Sequence, residues 1–82
     1  MLKAYYYTTN DYNGMIITDG EKAWDVSDFP QDGTIEEARS HDMSGLEGCE
    51  TMEDVKTSIG TEIAFFNFVE DEFETLEEIR VL

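Results

Sequence analysis

Two glycine turn dipeptides near the N-terminus, Asn13-Gly14 and Asp19-Gly20, constrain this chain more than any other local feature. Both favour the positive φ that a hairpin needs, and they separate three short runs rich in apolar, aromatic and β-branched residues. Those runs are Leu2 to Thr8, Met15 to Thr18 and Lys22 to Val26. The spacing predicts a β-meander. Asp19-Gly20 fits a tight two-residue hairpin. Asn13-Gly14 does not, because a middle strand of about four residues would leave Tyr5 to Tyr7 without partners. The first connection is therefore expected to be a longer loop, Thr9 to Gly14.

Helical signals follow. Thr34-Ile35-Glu36-Glu37 matches a capping box and predicts a helix from Ile35 to about His41. Thr51-Met52-Glu53-Asp54 is a second box with Asp in the fourth place. Met52, Val55 and Ile59 then share one helical face, and Gly60 follows as a stop. Ser44 to Gly48 reads as a turn. Ile63 to Val69, with Phe65, Phe66 and Phe68, reads as a strand apolar on both faces and so as the centre of the sheet. The last segment has two readings. Phe73, Leu76 and Ile79 fit a helical stripe, and Leu76 alternating with charges up to Ile79, Val81 and Leu82 fits an edge strand. The strand, from about Thr75 with Glu70 to Glu74 as the turn before it, is the preferred one. The sum is one α+β domain over residues 1–82: an antiparallel sheet of four to five strands with two short helices on one face.

Charge decides what such a domain can bind. Twenty acids face five Lys and Arg, a formal net charge of −15. Ten aromatic residues in 82 supply enough apolar area for a core, which separates the chain from a disordered acidic tail. The excess disfavours direct binding of nucleic acid, anionic membrane and acidic substrates, and it favours a basic protein surface or cations. It is also uneven. Residues 1–41 hold eight acids and three bases, and residues 42–82 hold twelve and two. The densest block is Glu70, Asp71, Glu72, Glu74, Glu77 and Glu78. A second group, Glu50, Glu53 and Asp54 with Glu47, lies beside the second helix. These nine, Glu70 to Glu78 as named with Glu50, Glu53 and Asp54, are the candidate binding residues.

Catalytic and metal signatures are weak. The EF-hand template fails at Gly14, where its first ligand would be Thr9, and at Gly33, where its last would be Arg39. A loose carboxylate site for a divalent cation is conceivable at Asp25, Asp28 and Asp32 or within Glu70 to Glu74. One Cys and one His, Cys49 and His41, do not make a usual zinc site. No nucleophile signature accompanies His41. The expectation is therefore a binding protein and not an enzyme, with no cofactor. The single cysteine excludes an intrachain disulfide, and the absence of a long apolar run or secretory segment fits a cytoplasmic protein.

In size, acidity and its Glu70-Asp71-Glu72-Phe73-Glu74 block, the chain resembles the small acidic anti-CRISPR and anti-restriction DNA mimics of phages and mobile elements. The resemblance implies inhibition of a nuclease or of its assembly in the host cytoplasm. Carboxylates would there occupy a surface built for phosphates. Two further classes remain open. One is an antitoxin-like or adaptor module using its tyrosines or a sheet edge, as monomer or homodimer. The other is a weak divalent-cation binder.

Overall fold

The computed structural model describes residues 1–82. Five strands form one antiparallel sheet: β1 (Lys3–Thr8), β2 (Asn13–Thr18), β3 (Lys22–Asp25), β4 (Phe66–Asn67) and β5 (Thr75–Val81). Their spatial order is β4-β3-β2-β1-β5. Two helices, α1 (Ile35–Arg39) and α2 (Met52–Ile59), and two isolated 3-10 turns complete the α+β domain. The Cα radius of gyration is 11.7 Å, against about 12 Å for a compact chain of this length. The charge excess does not swell the fold.

The sheet is built around β2. Met15, Ile16 and Ile17 are all fully buried, so this strand is covered on both faces. Its centre position corrects the expectation for Ile63 to Val69. Only Phe66 and Asn67 of that segment pair, with Ala23 and Lys22, and they do so at the sheet edge with both residues exposed. The physical reason is that the apolar residues of the segment serve two different clusters. Ile63 and Phe65 pack on the main core, and Phe68 turns onto the opposite face. A segment rounding a sheet edge has the same two-sided apolar pattern as a central strand.

The meander holds, with one change. Tyr7 pairs with Gly14 and Thr8 with Asn13, so Asn13-Gly14 belongs to β2 and the loop is only Thr9 to Tyr12. Gly14 serves packing here. A Cβ at this position would collide with the ring of Tyr7. The second hairpin turns at Gly20 and Glu21, closed by Asp19 N–H donating to Lys22 O at 3.3 Å. Gly20 alone has positive φ, +97°, as a type II′ turn requires. Asp19 Oδ1 accepts from the N–H groups of Lys22 and Glu21, and these bonds hold its carboxyl below the ordinary range.

One face of the sheet carries Leu2, Ala4, Tyr6, Met15, Ile17 and Trp24, and both helices cover it through Ala38, Met52 and Val55. Each large side chain buried there is worth about 1.5–3 kcal/mol. Both capping boxes are formed, with Thr34 accepting from Glu37 N–H and Thr51 from Asp54 N–H. The first helix ends at Arg39, two residues short of His41, because the Ser40 hydroxyl binds the carbonyls of Glu36 and Glu37. Ile59 closes the apolar stripe of α2 but stands 40% exposed.

Candidate functional site

The second face of the sheet is covered by the chain itself. β4 and β5 lie at opposite edges, so the segment between them, Phe68 to Glu74, must cross the whole sheet. The four inter-strand steps amount to about 19 Å. The eight residue steps from Asn67 to Thr75 reach about 27 Å when fully extended, and a 3-10 turn at Glu70–Glu72 takes up the slack. The segment is a strap, fastened at both ends. Phe68 N–H donates to Glu21 O at 2.9 Å, and Glu74 N–H donates to Thr8 O at 2.9 Å. Beneath it lie Tyr7, Ile16 and Ala23, fully shielded, with Tyr5, Phe68, Phe73 and Leu76 packed around them. Phe68 stacks on Tyr5 at 6.0 Å, and Phe73 sits 4.9 Å from Tyr7. The strap is held by aromatic side chains turned inward and hydrogen bonds at each end.

Its acids stay outside. Glu70, Asp71, Glu72 and Glu74 are exposed. None takes part in any of the four ion pairs of the molecule. The five bases are engaged elsewhere. Lys3 meets Glu78 at 3.0 Å, which raises the lysine's pKa, and Arg39 meets Glu77 at 3.4 Å and Glu36 at 4.0 Å. Lys22 Nζ donates to Asn67 Oδ1, Arg80 to Arg39 O, and Lys56 stands over the ring of Phe65.

The nine candidate residues therefore fall into three sets. The four strap acids are exposed along one short segment and pair with no cation. Glu77 and Glu78, adjacent on β5, point to opposite faces, as pairing with Tyr6 and Tyr5 requires, and each is matched by a base. Glu50, Glu53 and Asp54 lie at the start of α2, on the helix side of the sheet. Of these, Asp54 is committed locally. Its Oδ2 accepts from Glu50 and Thr51 N–H at 2.9 and 3.1 Å, and those bonds depress its pKa. The sequence reading did not separate these sets, because strand alternation and base pairing across the sheet depend on register.

One feature of the same face had no sequence signal. With no side chain on Gly14, the ring of Tyr7 lies across β2, and its hydroxyl donates to Asp25 Oδ2 on β3 at 2.9 Å. Burial, then the Asp25 carboxylate, drive the Tyr7 phenol far above its usual range. Asp25 remains open to solvent on one side, yet the rings beside it desolvate it enough to raise its carboxyl, with the Tyr7 bond opposing. Asp28, grouped with Asp25 as a loose cation site, instead meets His41 Nε2 at 3.1 Å. His41 rests edge-on against Phe29, and no serine, threonine or cysteine hydrogen-bonds its imidazole. Cys49 is buried in the main core.

Compared with protein-family models, curated proteins and solved structures, the chain matches none of them. No helix is long and apolar enough to cross a membrane.

Proposed function

We propose that this chain binds a basic surface on another protein, and that it does so through the strap as a nucleic-acid mimic of the phage-inhibitor type. The observation that carries this reading is the strap itself. Four carboxylates ride on a segment anchored by Phe68 and Phe73, and no base of the chain pairs with them. Opposite-charge docking on such a segment speeds association and fixes orientation. A fixed backbone limits the ordering cost on binding. Glu50 and Glu53 add negative field from the other side of the sheet, which steers approach without forming one array with the strap. An edge-strand adaptor has less support. The free edge of β5 bears Glu77, Glu78 and Arg80 and a bulge beside Glu78, devices that discourage strand addition.

The test is capture of basic proteins from host lysate at low and high salt, identified by mass spectrometry. It is run with the wild-type chain and a variant carrying Glu70→Lys, Asp71→Lys and Glu74→Lys. Binding is expected to weaken with salt and to be lost in the triple variant, chiefly through a slower association rate, while single Ala changes have small effects. Undiminished capture by the folded triple variant refutes the strap as the binding element.

A further inference from the structure

Beside the strap, a cleft of about 280 Å³ opens over Asp25. Tyr7, Tyr12, Phe66 and Phe73 wall it, and Glu72 faces it from the strap. A second recess of about 230 Å³ shares Tyr7, Tyr12 and Asp25 and continues toward Gln31. We propose that this cleft receives one basic side chain of the protein partner, an arginine in preference to a lysine. The inference rests on the binding reading above and names where on the molecule a single partner residue is held.

Three observations converge on a cation. Asp25 accepts a hydrogen bond on Oδ2, which fixes the carboxylate, while Oδ1 has no hydrogen-bond partner in the chain. A carboxylate held in place with one oxygen still open to solvent can accept from a charged donor, the stronger kind of hydrogen bond. All five bases of the chain are engaged elsewhere, so the cation must come from outside. The walls are aromatic and partly open, with Tyr12 40% and Phe66 36% exposed. Such faces attract a cation through the ring quadrupole. Arginine fits better than lysine. Its planar fork stacks on a ring and offers donors to both Asp25 and Glu72, where an ammonium is a compact, strongly hydrated charge. Tyr12 is set for the role by its own loop, in which Thr9 Oγ1 accepts from Tyr12 N–H and donates to Tyr12 O.

Amide spectra of the ¹⁵N-labelled chain, titrated with N-acetyl-arginine methylamide, test this, with the lysine and citrulline analogues in parallel. The arginine probe is expected to give saturable shifts at Tyr12, Asp25 and Phe66, the lysine probe weaker ones, and citrulline none. Asp25→Asn keeps an acceptor for Tyr7, and Tyr12→Leu lies on an exposed loop. Each should weaken the arginine probe about tenfold, with the dispersion of the amide spectrum serving as the folding control. Arginine shifts confined to the strap carboxylates, or unchanged in both variants, overturn the cleft. Capture lost in the triple strap variant but intact in Asp25→Asn and Tyr12→Leu overturns the cleft while leaving the binding reading in place. A saturable arginine site in a chain that captures no basic protein does the reverse.

Discussion

Replacing Phe73 with Ala should loosen the strap and destabilise the whole domain. The ring lies 4.9 Å from that of Tyr7 and 6.2 Å from that of Phe68, so it bridges the strap to the sheet. A fully buried Phe→Ala change costs about 3–5 kcal/mol. Phe73 is half-buried, and scaling for that gives about 2 kcal/mol. In a domain of this size such a loss lowers Tm by about 8–16 °C. Phe73→Leu keeps most of the volume and should cost less than half as much. Val69→Ala is the internal control, because Val69 belongs to the same strap but is 44% exposed, and its cost should stay within about 0.5 kcal/mol. Thermal melts by circular dichroism give the Tm values. Amide exchange at Phe68 and Glu74, whose N–H groups fasten the strap, tells whether the loss is local. A Phe73→Ala variant that melts within about 3 °C of wild type, with those two amides still protected, would mean that the strap is not held by its aromatics.

Two further expectations concern charge. With fifteen uncompensated negative charges, Tm should rise from low to moderate ionic strength as screening weakens self-repulsion; a melt insensitive to salt contradicts this. The N–H groups of Glu50 and Thr51 hold the Asp54 carboxyl below the ordinary carboxylate range in the folded chain, so the charged form is favoured in the native state. Its contribution is present at neutral pH and is lost as pH falls through the folded value. Urea midpoints of Asp54→Ala and wild type should therefore differ at pH 7 and converge in strong acid. A gap that widens on acidification reverses the assignment.

The sequence made the meander and both capped helices legible, and each for a local reason. Asp19-Gly20 sits at a turn that only glycine enters easily, and Thr34 and Thr51 head boxes read within four residues. The last segment carries both a helical stripe and strand alternation, and pairing with β1 makes it a strand from Thr75. The errors came where the outcome depended on the far side of the molecule. Ile63 to Val69 has the apolar content of a central strand, yet it divides its side chains between two clusters on opposite faces. Asn13-Gly14 has the composition of a turn, but the glycine is there to let Tyr7 lie flat. The acidic block was visible as composition. Its division into unpaired strap acids and paired Glu77 and Glu78 required the register of β5 against β1.

A strap is a better platform for a run of acids than a helix or strand in this fold, and magnitudes explain why. On β5, alternation sends neighbouring carboxylates to opposite faces, where Lys3 and Arg39 neutralise them. On α2, the acids of the first turn are drawn to backbone N–H groups, as Asp54 is. The crossing is bound by neither: its 3-10 turn fans Glu70, Asp71 and Glu72 around the segment at about 120° intervals, all of them in solvent. The repulsion this creates is modest in water, about 0.6 kcal/mol for two charges some 7 Å apart, and a few such pairs sum to about 2 kcal/mol. That is the worth of a single half-buried phenylalanine. One aromatic anchor would only break even, whereas Phe68 and Phe73 together leave a surplus that keeps the carboxylates on a fixed backbone. A cation docking among them removes the repulsion and leaves the anchors untouched, so binding should tighten the strap.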